Sequence, residues 1–173
     1  MADFKSVATY LDVLPETIQT YLLDNHLLER VQAMMVNPQF TNGRELMDAY
    51  HFPEDMAYNC ILFEGKSGHN LINIATLVPF GKRVDSKMIK KQLGLRDLHL
   101  MDKVKAEMLT GQAFGAFTPL ALSSDWLLVI EPEVFKKDSI IIGTGVTLAT
   151  LQIPTCILKQ VLHFQLLSQF YKE

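Results

Sequence analysis

The chain has 173 residues, 49% of them hydrophobic and 20% charged, which fits one globular domain with an added helix at an end and excludes disordered or collagen-like chains. Sixteen basic and nineteen acidic residues leave a net charge of −3, which argues against a generally basic nucleic-acid binder but leaves room for a local basic face. Cys60 and Cys156 are too few for a disulfide scaffold or a four-thiolate zinc site, and their apolar neighbours predict two buried structural thiols. No apolar run approaches the ~20 residues of a membrane span. The segment Met-Ala-Asp-Phe-Lys does not open a secretory signal, so a soluble, cytoplasmic protein with no membrane partner is expected.

Residues 1 to 28 read as helical, with Leu14, Ile18, Leu22 and Leu23 at helical spacing and Pro15 in a tolerated first-turn position. Val31 to Val36 reads as a short strand closed by Pro38. Thr41 or Asn42 is placed to cap a helix running to about Tyr50. After a turn at Pro53, Tyr58 to Glu64 and Asn70 to Val78 read as two strands joined tightly through Gly65-Lys66-Ser67-Gly68. Asp85 is a candidate cap for a helix that Gly94 stops. Leu98 to Met101 reads as a short strand, and Asp102 as the cap of a helix ending at Thr110-Gly111. A loop follows to Pro119. Trp126 to Ile130, Ile140 to Ile142 and Val146 to Leu151 read as further strands, and Pro154 opens a C-terminal helix with Ile157, Val161, Phe164, Leu167 and Phe170 on one side. The order is neither a regular βαβ series nor all-β. It predicts an α/β (α+β) fold: a mixed, largely antiparallel sheet flanked by helices, with extra N- and C-terminal helices. No internal repeat or low-complexity tract is present. The expected organisation is a helical extension over residues 1–28, a central domain over 29–154, and a C-terminal helix over 155–173 packed on the same domain.

Charge is uneven. Residues 1 to 56 carry nine acids and three bases, whereas residues 82 to 107 carry eight bases and four acids. Lys82, Arg83, Lys87, Lys90 and Lys91 in that window read either as a solvated helix face or as a surface for an RNA backbone. His26, His51, His69, His99 and His163 are scattered without metal-ligand spacing, so no metal and no cofactor is expected. No nucleophile elbow, Walker loop or complete dinucleotide fingerprint occurs, and Gly143-Thr144-Gly145 supplies only half of the last. The unusual segment is 110–119, where Gly111, Gly115 and Pro119 punctuate a run of small and aromatic residues. Glycine lets backbone approach a ligand closely, so this loop either presents main-chain dipoles to a small polar ligand in an apolar pocket or simply connects a helix to a strand.

Taken together, the strand before Pro38, Phe40-Thr41, Val84-Asp85-Ser86-Lys87-Met88-Ile89 with Leu93-Gly94, the complete Thr-Gly-x-x-x-Gly-x-x-x-Pro pattern at 110–119, the turn acid Glu131, and Ile142-Gly143-Thr144-Gly145 occur in one order over residues 29 to 155. In that order the chain resembles the YbaK/prolyl-tRNA-synthetase-associated editing domain family, whose members hydrolyse mischarged aminoacyl-tRNA. The resemblance implies that fold, with aminoacyl-tRNA as partner, a synthetase or another protein as a further one, and no DNA. It implies an aminoacyl-tRNA deacylase acting in trans on a tRNA carrying a small amino acid. Catalytic positions would be Asn59, Gly115 and Ala116. Substrate-binding positions would be Gly111, Phe117, Thr118, Pro119, Gly143, Thr144 and Gly145, and the tRNA would meet Lys82, Arg83, Lys87, Lys90 and Lys91. The chain departs from the family at Asn59, where active members generally carry a lysine; the alternative is therefore a catalytically impaired module that binds aminoacyl-tRNA, an amino acid or a protein. A third reading makes the chain part of a larger signalling protein.

Overall fold

The computed structural model describes residues 2–40 and 43–173. The candidate caps Thr41 and Asn42 lie outside the described residues. The chain opens with a two-residue strand β1 (Lys5–Ser6) and a 3₁₀ stretch (Val7–Val13), kinked at Tyr10, rather than with continuous α-helix. Helix α1 (Glu16–Asp24) then buries Ile18 and Leu22, and β2 (Gln32–Met35) follows. Next come α2 (Gly43–Tyr50), β3 (Tyr58–Ser67) and β4 (Asn70–Pro79). The hairpin between them turns at Gly68-His69, not at residues 65–68, because Gly65 stays inside β3 and pairs with Ile72. A side chain at Gly65 would press on the Asp97 carbonyl oxygen at 3.1 Å, so the glycine there serves close strand approach.

A short β5 (Arg83–Val84) leads into α3 (Ser86–Gln92), whose cap Asp85 accepts from the Lys87 and Met88 N–H groups. β6 (Asp97–Leu100) precedes α4 (Lys103–Thr110), capped by Asp102 and ended by Gly111 at φ +68. These boundaries match the local capping signals, as expected where a side-chain acceptor satisfies orphan N–H groups and glycine takes the left-handed position. β7 (Trp126–Ile130), β8 (Ser139–Gly143) and β9 (Ala149–Pro154) follow, so the strand expected at 146–151 begins three residues later.

The C-terminal helix is the main correction. α5 (Thr155–Val161) is only seven residues long, and the chain then runs extended as β10 (Phe164–Leu166) and β11 (Tyr171–Lys172). β10 adds in parallel to the edge of β7, and β11 pairs antiparallel with β5.

The fold is mixed α/β, with largely antiparallel sheets. β11 with β5 forms a small third sheet, and the two larger sheets have the orders β1-β2-β9-β8 and β10-β7-β4-β3-β6. They meet where Ala57 bridges Ile141, just before β3 and within β8. The larger core, including Ile18, Leu22, Leu77, Leu120, Ile130 and Leu151, fills the space between the sheets and α1. A second cluster holds Ile74, Val129, Leu167 and Phe170, and a third (Met34, Val36, Met47, Phe52, Ala57, Ile141) lies under α2 at the seam. Among the described residues no helix is long and apolar enough to cross a membrane.

Candidate functional site

A cleft of about 310 Å³ opens at that seam. Its apolar floor is the cluster under α2, with Val36, Met47, Phe52, Ala57 and Ile141. Asn59, second residue of β3 and solvent-exposed, lines the same cleft as Gly115, Ala116 and Gly143. Strand β3 and the 111–119 loop, distant in sequence, are thus brought together.

The loop is held by hydrogen bonds that sequence alone does not reveal. Ala116 N–H donates to the Ala113 carbonyl (3.0 Å), closing a turn with Gly115 in third place at φ +86, a conformation that favours glycine. Both ends of this turn are strapped to Gly145: Ala113 N–H donates to its carbonyl and Gly145 N–H donates to the Ala116 carbonyl, each at 2.7 Å. Gly143 lies directly beneath, where a β-carbon would come within 2.5 Å of the Ala116 and Phe117 carbonyl oxygens. Among the described residues, no acceptor takes the Gly115 N–H, so that dipole remains available.

Gln112, which carried no role in the sequence reading, is almost fully buried and braces the far side of the loop. Its Nε2 donates to the Thr118 and Leu120 carbonyls, and its Oε1 accepts from Thr118 N–H at 2.7 Å. Its place directly after the glycine stop of α4 is the one hint in the sequence. Thr118 is buried within this brace, while the Thr144 hydroxyl donates to backbone carbonyls at Val146 and Ala149. Gly111, Phe117, Thr118, Pro119, Thr144 and Gly145 do not line the cleft.

The lining contains no Asp, Glu, Lys, Arg, His or Cys among the described residues. Tyr58 lines it too. Burial, and secondarily the neighbouring Tyr171 and Glu131, push its phenol up to about 12, so it stays protonated and neutral at physiological pH. Thr150 lines the cleft with its hydroxyl donating to the Ile142 carbonyl. What the arrangement offers a ligand is an apolar-floored cleft, an amide side chain and oriented peptide dipoles, the ingredients of positioning and neutral electrostatic stabilisation. Among the described residues no group of three or more His, Cys, Asp or Glu side chains is placed to hold a metal.

The basic residues lie elsewhere. Lys82 pairs with Glu173, Arg83 is exposed on β5, and Lys87, Lys90 and Lys91 border a shallow depression beside Gly94. None of the five lines the cleft. Cys60 is buried and burial pushes its thiol up to about 12, but Cys156 is exposed on α5, contrary to the expectation of two buried thiols.

A search of curated proteins finds no match. Solved structures share the fold. One is described as a candidate trans-editing enzyme for prolyl tRNA synthetase: it is 16% identical, with a TM-score of 0.76 over 92% of this chain and 96% of that one. A hypothetical protein gives a TM-score of 0.77 at 16% identity, over 91% of this chain and all of that one. A candidate signal transduction protein from Marinobacter aquaeolei VT8 is 18% identical with a TM-score of 0.66, and this chain covers 31% of its length. At these identities the likeness establishes the fold. The model of the aminoacyl-tRNA editing domain matches residues 37–159, which include α2, the hairpin, the glycine-punctuated loop and β9. The chain belongs to the aminoacyl-tRNA editing domain family.

Proposed function

We propose that this protein is a trans-acting deacylase that hydrolyses the ester of a mischarged tRNA carrying a small, uncharged amino acid. The observation that carries the reading is the convergence of Asn59, Gly115, Ala116 and Gly143 on one charge-free cleft. Its volume must admit the terminal ribose as well as the aminoacyl group, which favours short side chains, and burying a charged side chain there without a partner would be costly.

In this reaction water adds to the ester carbonyl carbon and the carbonyl electrons move onto oxygen. Collapse of that intermediate expels the ribose oxygen, which takes up a proton, so the products are free amino acid and tRNA with its terminal hydroxyl restored. No side chain acts as nucleophile. The Gly115 N–H, already oriented and without a protein acceptor, donates to the carbonyl oxygen as charge develops on it. Asn59 orients the ester through neutral hydrogen bonds, and Gly111, Phe117, Thr118, Pro119, Thr144 and Gly145 serve the substrate by fixing the loop. The tRNA backbone is met by Lys82, Arg83, Lys87, Lys90 and Lys91. Residues 29–154 form the editing unit, and the terminal segments complete it: β1 extends one sheet and β10 the other.

A second reading has a specific observation in its favour. A cleft lined by no charged group, with Asn59 where active relatives generally carry a lysine, also suits a module that binds aminoacyl-tRNA or an amino acid without turnover. One experiment separates the two. A panel of mischarged tRNAs is scored for release of free amino acid by the wild type and by Asn59→Lys. The enzyme reading expects measurable release by the wild type and an increase of roughly tenfold in the variant, equivalent to about 1.4 kcal/mol of barrier, because a charge-assisted bond replaces a neutral one. Because Asn59 is exposed, the variant should fold. No release by either folded protein, with retained binding, would establish the binding module instead.

A further inference from the structure

Phe114 is a large apolar side chain that is 57% exposed, and yet it lines the cleft. An exposed phenylalanine by itself is unremarked in a protein surface. This one is held in place from three directions. Its N–H donates to the Glu107 carboxylate at 3.1 Å, it occupies the second position of the turn strapped to Gly145, and its ring meets Phe117 edge-to-face at 6.1 Å and 88°. Lys103 Nζ stands 5.3 Å from the ring centroid. Phe80 also lines the cleft under a cation, Arg44, but Arg44 is paired with Glu54. Among the described residues Lys103 makes no ion pair, and the nearby Glu107 is turned onto the Phe114 N–H.

From this we infer that Phe114 and Lys103 form a nucleotide subsite at the cleft mouth: the ring stacks the terminal base of the RNA whose ester enters the cleft, and Lys103 meets its phosphate. The inference rests on the deacylase or RNA-binding reading above. The charge-free lining leaves a phosphate nowhere to be neutralised inside the cleft, so the unpaired cation at its mouth is the complementary group. A ring carried on an anchored backbone loses little conformational freedom on stacking, and the terminal adenine, a purine, offers it a larger π-face than a pyrimidine does. The five basic residues around α3, which do not line the cleft, would then contact RNA further from the ester.

The test uses a ribo-oligonucleotide ending in CCA with no amino acid attached and a control ending in CC, so hydrolysis plays no part in the readout. Phe114→Trp should show saturable fluorescence quenching with the CCA oligonucleotide and markedly less with the control; the resident Trp126 is buried and gives the background. Phe114→Ala and Phe114→Leu should each weaken binding by roughly tenfold, since stacking needs a flat ring. Lys103→Gln should lower the salt dependence of binding by about one phosphate contact. Full binding by Phe114→Leu, or equal quenching by both oligonucleotides, would overturn the stacking subsite while leaving deacylation by the wild type intact. A wild type that neither binds the oligonucleotide nor releases amino acid from mischarged tRNA would overturn the functional reading itself. A Phe114→Trp signal given by apolar peptides and not by RNA would reassign the surface to a protein partner.

Discussion

Gly143 shows how a single missing β-carbon shapes the cleft. The loop crosses it so closely that two carbonyl oxygens occupy the space where a methyl group would stand. The contacted atoms are backbone, and both are fixed, one by its bond to Gly145 and the other within the Gln112 brace, so they have little room to retreat. Gly143→Ala is therefore expected to destabilise the fold by about 1–3 kcal/mol, the usual cost of overpacking. It should also displace Gly115 and Ala116 enough to abolish the cleft's ligand chemistry. Urea unfolding with a parallel deacylation or oligonucleotide-binding assay checks both; wild-type stability with wild-type activity would show that the loop is not seated on Gly143. At this scale the sequence was informative where chemistry is local. Gly111, Gly115 and Pro119 announce a shaped loop because glycine and proline restrict the backbone directly. Gln112 gave no such signal, since a polar residue in a loop reads as exposed, and only tertiary burial turns its amide into a brace. Cys156 failed for the converse reason: apolar sequence neighbours on a short helix do not say which face points outward.

Capped elements were legible to within a residue or so, because Asp85, Asp102, Gly94 and Gly111 act on the turn beside them. The C-terminal segment was not. Phe164, Leu167 and Phe170 recur every three residues, which imitates a helical stripe, but the open edges of β7 and β5 take this segment as strands. Partners distant in sequence override local propensity, as is common for strands. The tail is consequently structural. Phe170 is completely buried with Leu167 against Ile74 and Val129, and its carbonyl accepts from Asp85 N–H at 2.7 Å. Phe170→Ala is expected to cost about 3–5 kcal/mol, in the range of large core truncations. A surface tail without this anchoring would lose under about 0.5 kcal/mol. The urea midpoint distinguishes these outcomes, and increased proteolysis between Val161 and Glu173 in the variant would locate the damage.

For the molecule as a whole, the functional cleft is a property of the seam between two sheets, which no single stretch of sequence encodes. Tyr58 sits at that seam, with Cys60 next on the same face of β3 and Tyr171 reaching from the tail to bond the Glu131 carboxylate at 3.3 Å. Burial pushes the phenols of Tyr58 and Tyr171 up to about 12, aided by the negative charge of Glu131, and burial alone does the same for Tyr21 and the Cys60 thiol. Each of these groups is neutral when protonated and ionises more readily in the unfolded chain, near 9 for the thiol and 10 for the phenols. The unfolded state therefore binds fewer protons across this interval, and stability must fall as pH rises. Their contribution is complete below about pH 9 and is lost progressively towards pH 12. Urea midpoints taken across that range should decline, and the decline should be shallower in Tyr171→Phe and in Cys60→Ala, each of which removes one titrating group. Tyrosinate absorbance of the folded protein should lag behind that of the urea-unfolded chain. Stability that stays level to pH 11, or phenols that titrate together in both states, would mean that the seam is open to water, and with it the apolar floor of the cleft on which neutral, dipole-based recognition of an ester depends.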